Sequence, residues 1–248
     1  MTSAPHKVLF INPNSSESIT TNLVPLIPAA PGFELEFYTG PAGAAPAQID
    51  SLTTGIQSAA ACYSDLSARG KLDPKAGISG YVVGCYSDHQ LVGMLREHFA
   101  AAAKEDSRIP AVVPVVGIFQ ASVVQALALG RRFAILTTAL AWEDMLDLAV
   151  YNFVGAATRD HAYVGTYSTG LGVLEIHALN HDEVVARLVV CAKRAVASGA
   201  TALVLGCAGL SGLDTAIKQA VGRHIVVIDS VVAGIEVVKG LVGSDFNK

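Results

Sequence analysis

Gly80-Tyr81-Val82-Val83-Gly84-Cys85 and Ala202-Leu203-Val204-Leu205-Gly206-Cys207 are two versions of one pattern. Each is a β-branched or leucine-rich run that ends in Gly-Cys and gives way to small or polar residues. Such runs read as buried parallel strands. The pattern therefore sets one thiol at the carboxyl end of a strand in each half of the chain, the edge where open α/β sheets bind their ligands. Outward from these two runs, further candidate strands fall at 8–11, 35–38, 111–116, 133–137, 162–166 and 225–228. Apolar residues at helical spacing fill 51–67, 90–104, 122–129, 142–154, 182–198 and 213–221. Strands alternating with helices predict an α/β protein with parallel sheets flanked by helices.

The duplicated pattern predicts two similar lobes with an active-site cleft between them. The expected first lobe is 1–112 plus 223–248, the last strand and helix returning to it, and the second is 113–222. Caps are expected after each strand end: Asn14-Ser15-Ser16-Glu17 for the first helix, Ser87 or Asp88 after Cys85, and Ser211 after Cys207.

Composition narrows the function. Of 248 residues, 52% are hydrophobic and only 15% charged, with a formal net charge of −4. No basic face is implied, so a nucleic-acid partner is not expected. No run of 18 apolar residues suggests a membrane span. The apolar run after His6-Lys7 stops at Asn12-Pro13-Asn14, too soon for a signal peptide, and a cytoplasmic protein is expected. Four cysteines without a Cys-x-x-Cys pair form no disulfide framework in a chain this long. Cys62 and Cys191 read as small buried helix residues, whereas Cys85 and Cys207 end strands.

Two thiols at helix starts suit proton transfer. A free thiol ionises near pH ~8.5. N–H groups at a helix start favour the thiolate and hold a forming enolate. One thiolate and one thiol could remove a proton from one side of a carbon and return it from the other. The plainer alternative is a pair of buried core cysteines. Asn12, Ser15 and Ser16 offer an amide and hydroxyls to a carboxylate or imide; the plainer reading is a turn and cap, and both can hold together. Thr137 and Thr138 would line the second lobe, and Phe119 and Gln120 another wall. Tyr86, Ser87, Asp88 and His89 form a polar group after Cys85, followed in the second motif by Ala208 and Gly209. His177 and His181, four apart, have no acidic context to complete a metal site. The stretch 166–172 reads as a flexible loop that could cover the cleft. It is neither a phosphate loop nor a dinucleotide fingerprint.

Taken together, Ile11-Asn12-Pro13-Asn14-Ser15, Gly84-Cys85-Tyr86-Ser87-Asp88, Pro114-Val115-Val116-Gly117-Ile118, Leu205-Gly206-Cys207-Ala208-Gly209 and Val227-Ile228-Asp229 resemble the aspartate/glutamate racemase superfamily. The hydantoin/allantoin racemase branch, with its fungal DCG1-like members, is the nearest in look. The resemblance implies a two-lobed enzyme without cofactor or metal, often a homo-oligomer, acting on a small molecule. It implies Cys85 and Cys207 as opposing acid and base, with Asn12 and Ser15 or Ser16 binding a carbonyl or carboxylate. Two departures from that branch are Gln120, where an acidic residue is common, and His89, where proline is common. Racemisation at C5 of a 5-substituted hydantoin, allantoin included, is the leading expectation. Amino-acid or dicarboxylate racemisation, maleate-type cis-trans isomerisation and non-catalytic ligand binding are its rivals.

Overall fold

The computed structural model describes residues 4–28, 31–244 and 246. In chain order the elements are β1 (His6–Asn12), α1 (Glu17–Leu23), β2 (Phe33–Thr39), α2 (Leu52–Ala68), β3 (Ile78–Val83), α3 (Gln90–Glu105) and β4 (Val115–Gly117). There follow α4 (Ile118–Ala128), β5 (Phe133–Thr137), α5 (Trp142–Val154), α6 (Ala156–Ala162), β6 (Tyr163–Ser168), α7 (Val173–Ala178) and α8 (His181–Ala197). The chain ends with β7 (Ala202–Leu205), α9 (Asp214–Val221), β8 (Val226–Asp229) and α10 (Ser230–Gly243). It forms two units, one of Met1–Cys85, His89–Ile118 and Gly234–Lys248, the other of Tyr86–Asp88 and Phe119–Ala233.

Each unit is an α/β structure around a four-stranded parallel sheet. The orders are β2-β1-β3-β4 and β6-β5-β7-β8, the same arrangement built twice. In the first, Asn12 pairs with Thr39 and Ile11 with Val83. In the second, Thr137 pairs with Ser168 and Leu136 with Leu205. A chain that lays its second strand on one side of the first and its third on the other reverses direction between them. The carboxyl ends flanking that reversal are where such sheets bind ligands. In the first unit these ends are Asn12 and the residues after Val83, and in the second Thr137 and the residues after Leu205.

The sheets are buried by helices that present small side chains. Helix α2 turns Gly55, Ser58, Ala59, Cys62 and Leu66 inward, positions three and four apart. A capping box fixes its start: Ser51 Oγ accepts from Thr54 N and Thr54 Oγ1 accepts from Ser51 N. Helix α8 does the same with Val184, Leu188, Cys191, Ala192 and Ala195. These faces meet Leu9, Ile11, Tyr81 and Val83 in one core, and Ala134, Leu136, Leu203 and Leu205 in the other.

All eight expected strands form, but several boundaries and one loop differ. Strand β4 begins only after Pro114, because prolines at 110 and 114 withhold donors that a ladder needs. It pairs with β3 and so lies in the first sheet, beyond the boundary expected at 112. Strand β8 pairs with β7, so the last strand stays in the second sheet instead of returning to the first. Only α10 from Gly234 joins the first unit, where a Cβ on Gly234 would stand 3.0 Å from Val82 Cγ1. The stretch 166–172 is no loose loop. Its start belongs to β6, and Thr169 N and Gly170 N donate to the carbonyls of Thr137 and Thr138. Among the described residues, no helix is long and apolar enough to cross a membrane.

Glycine is required just before each thiol. Gly84 N donates to Ile11 O at 2.8 Å, and a Cβ there would lie 2.5 Å from Phe10 Cζ. Gly206 N donates to Leu136 O at 2.7 Å, and a Cβ there would lie 2.5 Å from Ile135 Cγ2. Gly84→Ala and Gly206→Ala should each lower unfolding free energy by about 1–3 kcal/mol. Gly93→Ala, on the exposed face of α3 with nothing near its added methyl, should raise it by about 0.4–1 kcal/mol. Urea titration of the three variants checks both signs.

Candidate active site

The two sheets offer equivalent strand ends, each closing on a glycine and then a cysteine. Cys85 and Cys207 are partly exposed, Cys62 and Cys191 buried, and none is in a disulfide. The buried pair donates to main-chain carbonyls, Cys62 to Pro13 O at 3.2 Å and Cys191 to Ser168 O at 3.0 Å. Burial pushes the Cys62 thiol up to about 12 and raises Cys191 as well. Both are structural thiols. At Cys207, burial around the sulfur pushes the thiol up to about 11, opposed by the N–H groups of Gly209 and Leu210 that hydrogen-bond to it. Cys207 therefore rests protonated at neutral pH, with donors in place for the thiolate when it forms.

Those donors come from a short 3₁₀ turn, Ala208–Leu210, for which Cys207 is the N-cap. Ser211 does not cap the next helix, as the sequence suggested. It ends the turn and donates through Oγ to Asp229 Oδ2 at 2.6 Å. Asp229 also accepts from Gly212 N, Val231 N and Val232 N. One carboxylate thus ties the loop after Cys207 to the end of β8. The motif Val227-Ile228-Asp229 signalled this residue, but nothing in its spacing disclosed the partner. Thr137 Oγ1 donates to Gly206 O at 3.0 Å, fixing the peptide that carries Cys207. Thr138 is buried and contributes its carbonyl to Thr169.

In the first unit, Asn12 is 2% exposed. Its Nδ2 faces Asn14 Oδ1, Ser16 O and Thr20 Oγ1 at 3.0–3.2 Å, three acceptors for two N–H bonds. The side chain locks the turn, and its donors are occupied within it. Ser16 is the N-cap residue of α1 without a side-chain cap bond, and Ser15 N donates to Pro46 O. The hydroxyl-bearing Ser15 and Ser16 stay partly exposed.

The polar group after Cys85 divides. Neither Ser87 nor Asp88 caps α3; His89 does, its Nδ1 accepting from Leu91 N at 3.3 Å. With Nδ1 an acceptor, the ring proton sits on Nε2, which faces Ser58 Oγ at 3.4 Å; Ser58 in turn donates to Pro13 O at 2.7 Å. His89 ties the start of α3 to α2 and the Pro13 turn. Within the second unit, Tyr86 is buried, its hydroxyl hydrogen-bonded with Ser122 at 3.2 Å and its ring edge-on to Phe119 at 5.6 Å. Tyr86 Cε1 would stand 3.2 Å from a Cβ on Gly206. Burial drives the Tyr86 phenol well above its ordinary range. Gln120 Nε2 donates to Asp88 Oδ1 at 3.0 Å.

His177 and His181 do not share a helix face, since α7 ends before 181 opens α8; the side chain of His177 lies outside the described residues. Among the described residues, no three His, Cys, Asp or Glu gather as metal ligands.

The family model described as Asp/Glu/Hydantoin racemase matches residues 8–238. An uncharacterized protein of Schizosaccharomyces pombe is 33% identical over 95% of this chain and 92% of its own length. Protein DCG1 of Saccharomyces cerevisiae is 28% identical over 93% and 94%. A hydantoin racemase of Rhizobium meliloti is 27% identical over 95% and 88%. The solved allantoin racemase from Klebsiella pneumoniae shares the fold, with a TM-score of 0.77 at 24% identity, covering 96% of this chain and 87% of that one.

His89 gives a pH test of the first unit. Burial at 2% exposure pushes its pKa down to about 4, against ~6.5 in an unfolded chain. Between those values the unfolded state binds the extra proton, so stability falls as pH drops through this window. Going from pH 7 to pH 5 should cost about 2 kcal/mol from this group alone. His89→Asn, which keeps a capping oxygen, should remove that part of the slope in urea titrations at the two pH values.

Proposed function

The chain belongs to the Asp/Glu/Hydantoin racemase family and is a racemase-type isomerase; we propose that it inverts C5 of a 5-substituted hydantoin, allantoin among them, with Cys85 and Cys207 as acid and base. The observation that carries this reading is the pair of Gly-Cys strand ends at equivalent places in two equivalent sheets. Tyr86, the chain neighbour of Cys85, packs at Gly206, the chain neighbour of Cys207. The named hydantoin racemase relative points to the same substrate class.

The proposed step needs no redox partner. A Cys85 thiolate takes the C5 proton, and the C5–H electron pair moves into the adjacent carbonyl as an enolate. Cys207, resting protonated, delivers its proton to the opposite face of C5 as the carbonyl re-forms. The N–H groups of Gly209 and Leu210 then hold the new thiolate. The thiols have exchanged roles, and the reverse substrate enters on the other form.

Charge supports a neutral ring over a dicarboxylate. No Lys or Arg occurs in 12–16, 84–90, 117–122, 137–141 or 206–212. A dicarboxylate would find no cation on these loops, whereas an imide carbonyl needs only N–H donors.

Cys85→Ser and Cys207→Ser should each reduce racemisation by about 10²–10⁴-fold, the usual weight of one general acid or base. Proton NMR in D₂O with single enantiomers of allantoin and 5-alkyl hydantoins follows loss of the C5 proton beside loss of optical rotation. Racemisation at the parental rate in both variants would overturn the two-thiol assignment.

A further inference from the structure

Asp229 holds two elements of the second unit at once. Its Oδ1 accepts from Val231 N at 2.9 Å and Val232 N at 3.3 Å, near the start of α10. Its Oδ2 accepts from Ser211 Oγ at 2.6 Å and Gly212 N at 3.0 Å, at the end of the turn that follows Cys207. The carboxylate thus braces a loop that carries a thiol against a helix of 14 residues.

The braced turn is the one that serves the sulfur. Cys207 is the N-cap of Ala208–Leu210 in extended conformation, φ −163° and ψ 138°. An N-cap side chain stands before the first N–H groups of its turn. Those of Gly209 and Leu210 favour the thiolate against the burial that disfavours it. Thr137 Oγ1 fixes the Gly206 carbonyl on one side of Cys207, and Asp229 fixes the loop on the other. The first sheet has no such brace at the same register. Leu205, two residues before Cys207, pairs with Asp229, whereas Val83, two before Cys85, pairs with Gly117.

We infer that Asp229 is a positioning residue for Cys207: through Ser211 and Gly212 it holds the Ala208–Leu210 turn in the form that keeps two N–H groups on the sulfur. It acts through the turn and not on the reacting carbon. Its negative charge alone would act in the opposite sense, disfavouring a nearby thiolate. The part it plays in turnover rests on the two-thiol reading above.

Two variants release the loop and spare the helix. In Asp229→Asn the remaining acceptor still caps α10, while the amide NH₂ meets the Gly212 N–H, donor against donor. Ser211→Ala removes the hydroxyl and leaves the carboxylate on α10. The full chain is treated with trace iodoacetamide at about pH 8, where the rate reports the thiolate fraction, and each cysteine is followed by peptide mass spectrometry. Cys207 should react about 3- to 10-fold more slowly in both variants, with Cys85 within about twofold of parent. The buried Cys62 and Cys191 report unfolding by reacting faster. An unchanged Cys207 rate, or a faster one from lost charge or an opened loop, overturns the inference. Polarimetry on a 5-alkyl hydantoin supplies the turnover arm. There kcat should fall about 3- to 10-fold with KM within about twofold, because the donors are needed only once the thiolate forms. A parental kcat beside slowed alkylation would overturn the part in turnover. Slowed alkylation in a protein that racemises no hydantoin would uphold the positioning of Cys207 and remove the hydantoin reading.

Discussion

The close packing of a neighbouring side chain over the glycine before each strand-end cysteine, leaving no room for a Cβ, is the constraint on which the structure turns. Gly84 sits against Phe10 and Ile11, and Gly206 against Ile135 and Leu136. At each place one further main-chain hydrogen bond extends the ladder past the last paired residue. A side chain there would collide with Phe10 or Ile135 and displace the backbone that carries the following cysteine. Because the gap is that of a glycine, the thiol leaves the sheet directly at the reversal of strand order.

Around these two points, polar groups serve positioning. Thr137 fixes the Gly206 carbonyl, and Asp229 gathers four donors from the loop after Cys207 and the start of α10. Asn12 closes its own turn, while His89 and Ser58 bind that turn to α2 and α3. Each of these bonds removes a freedom from a loop near a strand-end cysteine. The loops that follow the two Gly-Cys strand ends, 84–90 and 206–212, contain no Lys or Arg.

The strands were legible because parallel strands covered on both faces are continuous apolar runs, and those runs stand out against Gly and Asn-Pro punctuation. The cysteines divided correctly into helix and strand-end pairs for the same reason: Cys62 and Cys191 sit in alanine- and valine-rich helical stretches. What escaped was set by partners distant in sequence. His89 looks like a poor cap beside Ser87 and Asp88, yet burial keeps it neutral and leaves Nδ1 free to accept. Ser211 resembles a cap but is taken by Asp229, eighteen residues on. The sheet of the last strand is decided by pairing with β7, which periodicity within 225–228 does not encode.

Asn12 and Gln120 show how the same side-chain chemistry meets two different surroundings. Both are buried amides near strand ends, and from sequence both were candidates to meet a ligand. Asn12 has three acceptors around its NH₂, and its Oδ1 accepts from Asn14 N at 3.4 Å. Its NH₂ is occupied within the turn and the first helix. Gln120, with two carbon atoms between Cα and its amide, reaches a single carboxylate and leaves an oxygen over. An acceptor left buried without a donor costs stability. That difference separates an amide whose donors close a turn from one whose oxygen is left over.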